Sequence, residues 1–456
     1  MSELPMGWEI SSLAQVVSKL VDGSHSPPSK QADGLPMLSA RNISDGRIIF
    51  DDYRLIKQAD FEIEDRRTNI RPGDVLLTIV GAIGRTVIVP NLFQKFTLQR
   101  SVAVIRLHDG IDSEYLKYVF DAPEFQEWML ENAKGTAQKG IYLKKLGSAH
   151  IPVAPLNEQR RIVAKLDRLF ARSRCAREEL GRVSGLVQRY KQAVLAAAFR
   201  GDLTADWREK SGKLRTEWRN VSLDNLISCS QNGLSKRYGS DGQEIVVLRL
   251  ADIKDYKVCL SEPRKIKLTK QEKDKYILQI GDILVVRVNG SKDIVGRLVL
   301  ITEELNAGYC DHFIRLSLNS ECNPEWLSYH GNSERFRKYI SENIVSSAGQ
   351  NTVSQGTLKD YVLEVPCLEE QKEIVQRIEK LFKAIDLIEQ EHQQASKLLD
   401  RLEQATLSKA FRGELVPQDP NDEPAAVLLE RIQSDRQGQP KRKAIKSTRK
   451  PRAKSK

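Results

Sequence analysis

The 456-residue chain is poor in the residues that staple or anchor a fold: six cysteines, six histidines, four methionines and only 6% aromatics. No run of about 18 apolar residues occurs, which excludes a membrane-spanning helix at the level of sequence. Residues 1–10 carry Glu3 and Pro5 and no apolar stretch, so no secretory leader is expected. The thiols Cys175, Cys229, Cys259, Cys310, Cys322 and Cys367 form no C-x-x-C pair, and no histidine stands near them at zinc-finger spacing. They read as packing residues in a reducing, cytoplasmic setting, and no metal site is expected.

Catalytic motifs are equally scarce. Residues 135–140 have the glycine gap of a phosphate-binding loop, but Ile141 stands where its lysine belongs. There is no H-E-x-x-H, no G-x-S-x-G elbow, and no glycine-rich S-adenosylmethionine loop followed by an Asn/Asp-Pro-Pro-Tyr/Phe motif. No catalytic residue is assigned.

What is present is an ordinary globular composition, 40% hydrophobic and 29% charged, with a mean hydropathy of −0.44. The net charge is +11 and the isoelectric point about 9.2, a balance that favours a polyanionic partner. Part of the excess lies in residues 441–456, which contain no acid and read as a disordered basic tail.

The chain repeats itself. Phe199-Arg200-Gly201-Asp202-Leu203 returns as Phe411-Arg412-Gly413-Glu414-Leu415, an offset of 411 − 199 = 212. Leu156-Asn157-Glu158-Gln159 returns as Leu368-Glu369-Glu370-Gln371 at the same offset. Toward the N-terminus the offset drifts: Gly73-Asp74-Val75-Leu76 meets Gly281-Asp282-Ile283-Leu284 at 208, and Trp8 meets Trp218 at 210. Small loop insertions account for such drift. Each half is a mixed segment followed by a helical one, and the period is far too long for a solenoid.

The helical segments carry apolar steps that alternate four and three, a heptad seam. In the first it runs through Ile162, Leu166, Leu169, Ser173, Ala176, Leu180, Val183, Val187, Tyr190 and Val194. In the second it runs through Ile374, Ile378, Leu381, Ile385, Ile388, His392, Ala395, Leu399, Leu402 and Thr406. A stripe this long needs a partner, and the other copy is the nearest. The first helix is rich in base and the second in acid, so an intramolecular coiled coil is expected. The antiparallel arrangement is favoured, since it sets the mixed domains at opposite ends. Gly201 and Gly413 read as helix stops.

The mixed segments place short β-branched runs (75–80 and 283–288) after the Gly-Asp turns, further strands at 102–107 and 313–318, and helices at 113–132 and 323–343. Strands and helices do not alternate regularly, so the class is α+β. The expected boundaries are a first mixed domain 1–155, a first long helix 156–200, a linker 201–217, a second mixed domain 218–366, a second long helix 367–413 and a C-terminal segment 414–456.

Two loops recur in both copies. One follows the Gly-Asp strand, at 81–85 and at 289–292; the other follows the helical part, at 134–142 and at 346–354. Both offer small residues, amides, hydroxyls and bases, the groups that approach a phosphate backbone and read base edges. Candidate DNA contacts are Arg85, Gln138, Lys139 and Tyr142 in the first copy. In the second they are Arg287, Asn289, Ser291, Lys292, Gln350, Asn351 and Ser354.

This layout resembles the specificity subunit of type I restriction–modification systems over nearly the whole chain, from Leu4-Pro5-x-Gly7-Trp8 to the basic tail. The most specific marks are the paired Leu-x-Glu-Gln helix starts and the paired Ala-Phe-Arg-Gly-Asp/Glu-Leu ends. The resemblance implies that each mixed segment is a target recognition domain reading one half of a split site in double-stranded DNA. It implies that the helices form an antiparallel spacer that docks two methyltransferase subunits, and that two motor–nuclease subunits join them. S-adenosylmethionine, ATP and magnesium would then belong to those partners, with no cofactor in this chain. The first post-strand loop lacks the Asn-Gly-Ser-Lys of the second, which fits two different half-sites. The alternatives are the DNA-binding portion of a self-contained restriction enzyme or methyltransferase, and a coiled-coil scaffold without a DNA role.

Overall fold

The computed structural model describes residues 4–91, 94–135, 138–254, 257–347 and 349–438. The basic tail and Thr136, Ala137 and Ala348 of the second recurrent loops lie outside the described residues. Two compact units emerge, and neither is a continuous stretch of domain plus its own helix. One gathers Met1–Glu178 with Ala395–Lys456, and the other is Glu179–Gln394.

The first unit is built on a four-stranded antiparallel sheet in the order Val17–Asp22, Val102–Leu107, Val75–Thr78, Thr86–Ile88. Its central strand Val75–Thr78 is buried on both faces. Val75 and Leu77 point into a core shared with the helices Ser113–Asp121 and Pro123–Asn132. Leu76 faces the other way, toward Leu38 and Leu98 of a three-stranded sheet ordered Arg54–Ile56, Leu35–Leu38, Thr97–Leu98. Alternation of period two thus feeds two separate cores from one short strand.

The second unit repeats the plan. Its four-stranded sheet runs Ile227–Asn232, Phe313–Leu318, Ile283–Val286, Leu298–Leu300, and its three-stranded sheet runs Lys265–Leu268, Gln243–Leu248, Ala307–Tyr309. Ile283 and Val285 enter one core, Leu284 and Val286 the other. In both units the Gly-Asp turn has a physical basis. Gly73 and Gly281 sit at φ of 81° and 89°, where a side chain is strained. Asp74 and Asp282 are buried and each accepts the backbone N–H three residues upstream at 2.8 Å. Arg106 then pairs with Asp74, and the Ser317 hydroxyl donates to Asp282.

Three local expectations are corrected. The helix expected at 113–132 is two, because Pro123 has no N–H to continue the first and instead opens the second. The helix expected at 323–343 is likewise Pro324–His330 and Glu334–Asn343, the latter capped by the Ser333 hydroxyl. The run 283–288 splits between Ile283–Val286 and Val288–Asn289, which belong to different sheets.

The long helices are Leu156–Arg200 and Leu368–Phe411, the first about 68 Å long at 1.5 Å per residue. Gly201 and Gly413 follow them in the left-handed conformation, at φ of 88° and 74°. They pair antiparallel within each unit. In the first, Arg177 reaches Asp400 at 2.7 Å and Glu403 at 2.8 Å. In the second, Lys191 reaches Asp386 at 2.9 Å and Glu389 at 3.5 Å. At the seam's ends the apolar residues merge into the domain cores: Ile162 and Leu166 pack with Leu407 and Ala410, and Ile374 and Ile378 with Val194, Leu195 and Ala198.

Between these ends Val187 and Ile385 are buried, while Leu169, Leu180, Val183, Leu381 and Leu399 are half-buried. Tyr190, Ile388 and Leu402 were expected on the seam and are 57%, 53% and 58% exposed. At each of these levels the next residue takes the place: Lys191, Glu389 and Glu403, whose charged ends reach across to the other helix. A straight helix turns once per 3.6 residues, so a strict 3.5 seam drifts off the contact line.

Candidate nucleic-acid interface

The two recurrent loops, 49 or more residues apart in sequence, meet in space in both copies. In the first unit Val80 bridges Gly140, and the Gly81 N–H donates to the Lys139 carbonyl at 3.1 Å. In the second unit the contact is a small sheet of its own: Val288–Asn289 pairs with Gln350–Thr352, which pairs with Val345–Ser347.

The loops differ in length by four residues, and the backbone shows where. Thr78 N–H donates to Arg85 O, and Val286 N–H to Arg297 O, both at 2.9 Å. Gly84 and Gly296 close the same turns. Arg85 is therefore the counterpart of Arg297, not of the 287–292 segment to which the sequence aligned it. The offset rises from 283 − 75 = 208 to 298 − 86 = 212 across this loop. The inserted length holds Asn289-Gly290-Ser291-Lys292, which is why the first copy lacks that stretch.

In the first unit a cavity of about 500 Å³ opens beside the loops, lined among others by Ser24, His25, Arg41, Arg85, Arg100 and Gln138. Arg85 is exposed and its guanidinium touches the Ile43 carbonyl at 3.3 Å. Gln138 and Lys139 are exposed, and Tyr142 is 75% exposed. His25, Arg41 and Arg100 had not been singled out. They come from three separate segments, and no local motif announces them.

In the second unit Arg287 is half-buried. Its N–H donates to the His312 carbonyl at 2.7 Å and its guanidinium to the Asp311 carbonyl at 3.3 Å. Lys292 and Gln350 are exposed, and Ser291 is half-buried. Three other candidates are engaged in building the loops. Asn289 Oδ1 accepts the Ser291 N–H at 2.9 Å. Asn351 is 7% exposed, accepts from the Ser346 hydroxyl at 2.6 Å and donates to the Gly290 carbonyl at 2.8 Å. Ser354 caps the helix Gln355–Lys359 through the Thr357 N–H. Asn351 thus ties the second recurrent loop to the first, a role that becomes visible only when both are placed.

The same region gathers Cys310, Asp311 and His312, the one group of three metal-ligating side chains found among the described residues. Burial pushes the Cys310 thiol above its ordinary value. The three ligands are consecutive in sequence, a spacing that no zinc-finger motif uses, so the sequence pattern does not announce them.

The helix starts explain the strongest sequence signature. Gln159 accepts the Asp112 N–H at 2.9 Å and donates to the Ala154 carbonyl at 2.8 Å. Gln371 accepts the Asn323 N–H at 2.7 Å and donates to the Pro366 carbonyl at 3.0 Å. Each glutamine locks the start of a long helix to the cap of a domain helix.

Two α+β domains of one topology, each followed by a long helix and each bearing a loop surface of bases, amides and hydroxyls, define a tandem recognition protein made by duplication. The type I restriction modification DNA specificity domain matches residues 5–180 and 218–397, and the chain belongs to that family. It is 33% identical to the type I restriction enzyme StySPI specificity subunit of Salmonella potsdam, over 95% of this chain and 96% of that one. It is 26% identical to the EcoKI specificity subunit of Escherichia coli K12 over the same shares. Among solved structures, a chain from a study of complex assembly and conformational transition of the type I R-M system superposes with a TM-score of 0.69, at 21% identity, covering 91% of this chain and all of that one. The HsdS subunit from Thermoanaerobacter tengcongensis gives 0.56, at 21% identity, covering 91% and 98%. No helix among the described residues is long and apolar enough to cross a membrane.

Proposed function

We propose that the chain is the non-catalytic DNA-reading subunit of a cytoplasmic type I restriction–modification complex. Each domain reads one half of a bipartite site in double-stranded DNA, and the paired helices hold the half-sites about one helical turn, ~34 Å, apart. Two methyltransferase subunits and two motor–nuclease subunits supply adenine methylation and cleavage, together with S-adenosylmethionine, ATP and magnesium. The observation that carries this reading is the meeting of the same two loops at the same place in both copies, on a shared scaffold, with a four-residue difference in one of them. A conserved frame with a varied rim is what two readers of different sequences require.

In this reading Arg85, Lys139, Arg287 and Lys292 supply positive charge to phosphates, and Gln138, Tyr142, Gln350 and Ser291 meet base edges or sugar. The test is co-expression with a methyltransferase and a motor–nuclease subunit of the family, followed by methylation sequencing of the host genome. A single bipartite motif with an unspecified gap supports the reading. Methylation at a continuous site, or none despite a stable complex, contradicts it.

A further inference from the structure

Cys310, Asp311 and His312 form the turn between the strands Ala307–Tyr309 and Phe313–Leu318. Cys310 is 2% exposed. Its Sγ stands 3.6 Å from His312 Nδ1, and the same Nδ1 stands 3.3 Å from Asp311 Oδ1. Asp311 Oδ1 is itself buried and completes no hydrogen bond. The guanidinium of Arg237, half-exposed, is 3.6 Å from it.

Thiolate, imidazole and carboxylate together form a donor set for a borderline-soft divalent cation. Zinc takes sulfur at about 2.3 Å, nitrogen at about 2.0–2.1 Å and carboxylate oxygen at about 2.0–2.2 Å in tetrahedral geometry. Those radii put sulfur and nitrogen about 3.5 Å apart, and nitrogen and oxygen about 3.4 Å apart, along the edges of the tetrahedron. The observed 3.6 and 3.3 Å fit both edges, with His312 Nδ1 at the shared corner. We propose that Cys310, Asp311 and His312 bind a zinc-class divalent cation, with a fourth coordination position left to water.

Binding forms a metal–sulfur bond and breaks the thiol S–H bond, and the proton passes to solvent. Arg237, whose side chain is 52% exposed, would turn outward as the cation takes its place beside Asp311. The cation would fix the base of the loop that follows Ile283–Val286, since Arg287 hangs from the carbonyls of Asp311 and His312.

The duplication provides an internal comparison. Leu234 bridges Cys310 in parallel, as Ser24 bridges Gln99, so the matching turn of the first copy is Gln99-Arg100-Ser101. That turn has neither thiol nor imidazole. The site belongs to the second domain alone, and it stands or falls without DNA.

The test uses the full chain, stripped with a chelator and titrated with Co²⁺ as the probe. Thiolate-to-cobalt charge-transfer absorption with tetrahedral d–d bands should saturate at one equivalent and be displaced by Zn²⁺. The signal should vanish in Cys310→Ser and in His312→Ala and persist in Cys322→Ala, which removes another buried thiol. His312 is one-third exposed, so its variant keeps the test decisive if Cys310→Ser folds poorly. Two outcomes overturn the proposal: a folded wild-type chain with no thiolate–cobalt absorption, in which case the contact is a plain S–H···N bond, or absorption that survives either ligand variant.

Discussion

Arg208, from the segment after the first long helix, makes a buried ion pair with Glu370 at the start of the second. Thr204 and the Trp218 indole complete that carboxylate with bonds of 2.7 and 2.9 Å. The repeat places Glu158 and Trp8 at the matching positions of the first copy, where the buried carboxylate faces the indole but has no ion pair among the described residues to match Arg208. At the offset of 212 the counterpart of Arg208 is Pro420. One copy is closed by a buried charge pair; in the other, Arg161, 35% exposed, and Asn157 bind the Asp422 carboxylate, which is only 6% exposed.

Arg208→Ala should therefore destabilise the second unit by about 3–5 kcal/mol, the usual loss when one member of a buried pair is removed. Arg161→Ala should cost the first unit less than Arg208→Ala costs the second, because Arg161 is 35% exposed whereas Arg208 is 9% exposed. Urea denaturation with amide exchange resolved by unit measures both.

The pH dependence follows from Glu158. Burial holds its carboxyl above the ordinary value of 4.5. The folded chain then keeps this proton more tightly than the unfolded chain does. Stability from this group is greatest below pH 4.5 and is lost as pH rises from 4.5 through the raised folded value. Glu158→Gln should abolish that decline in the first unit, so the variant gains on wild type across this window and the gain levels off above it. A gain independent of pH from 4.5 to neutrality would show that the carboxyl is not destabilised by burial.

Gln159→Ala and Gln371→Ala each strand a buried amide and a carbonyl at a helix start. A loss of about 1–3 kcal/mol is expected for each, confined to its own unit. Faster amide exchange at Asp112 in the first variant and at Asn323 in the second locates the effect.

At the proposed interface, Lys139→Ala and Lys292→Ala should weaken all DNA sequences alike and flatten the salt dependence by about one unit each. Gln138→Ala or Gln350→Ala should relax one base at a penalty of about 1–3 kcal/mol. Asn351→Ala should act differently: it frees Gly290 and Ser346, so the loops of the second unit should loosen before DNA is added. Amide exchange of residues 287–292 in the free chain separates the two kinds of effect.

The large plan was legible because it is carried by local signals: the repeated Leu-x-Glu-Gln starts, the glycine stops, and β-branched runs after Gly-Asp turns. What escaped depends on distance in space. Whether Asn351 and Ser354 face a ligand or a backbone partner is decided by Gly290 and Thr357, which the sequence does not place beside them. The register of Arg85 was misread because apolar strands align while loop insertions do not. The break before Pro123 is legible in the sequence, since proline has no N–H to continue a helix. The seam positions Tyr190, Ile388 and Leu402 follow a heptad, whereas the packed helices follow 3.6 residues per turn.

The central claim is that the two domains read two half-sites independently. The most direct measurement is methylation sequencing of cells carrying a chimaera in which residues 1–155 come from another family member, with the partner subunits supplied. The donor should keep the backbone that receives the helix Ala425–Gly438, where Ala425 N–H meets the Gly7 carbonyl and Arg436 meets the carbonyls of Ala14 and Val17. The account predicts that one half of the methylated motif changes and that the other half and the gap remain. If both halves change together, or neither does, the two-reader account is contradicted.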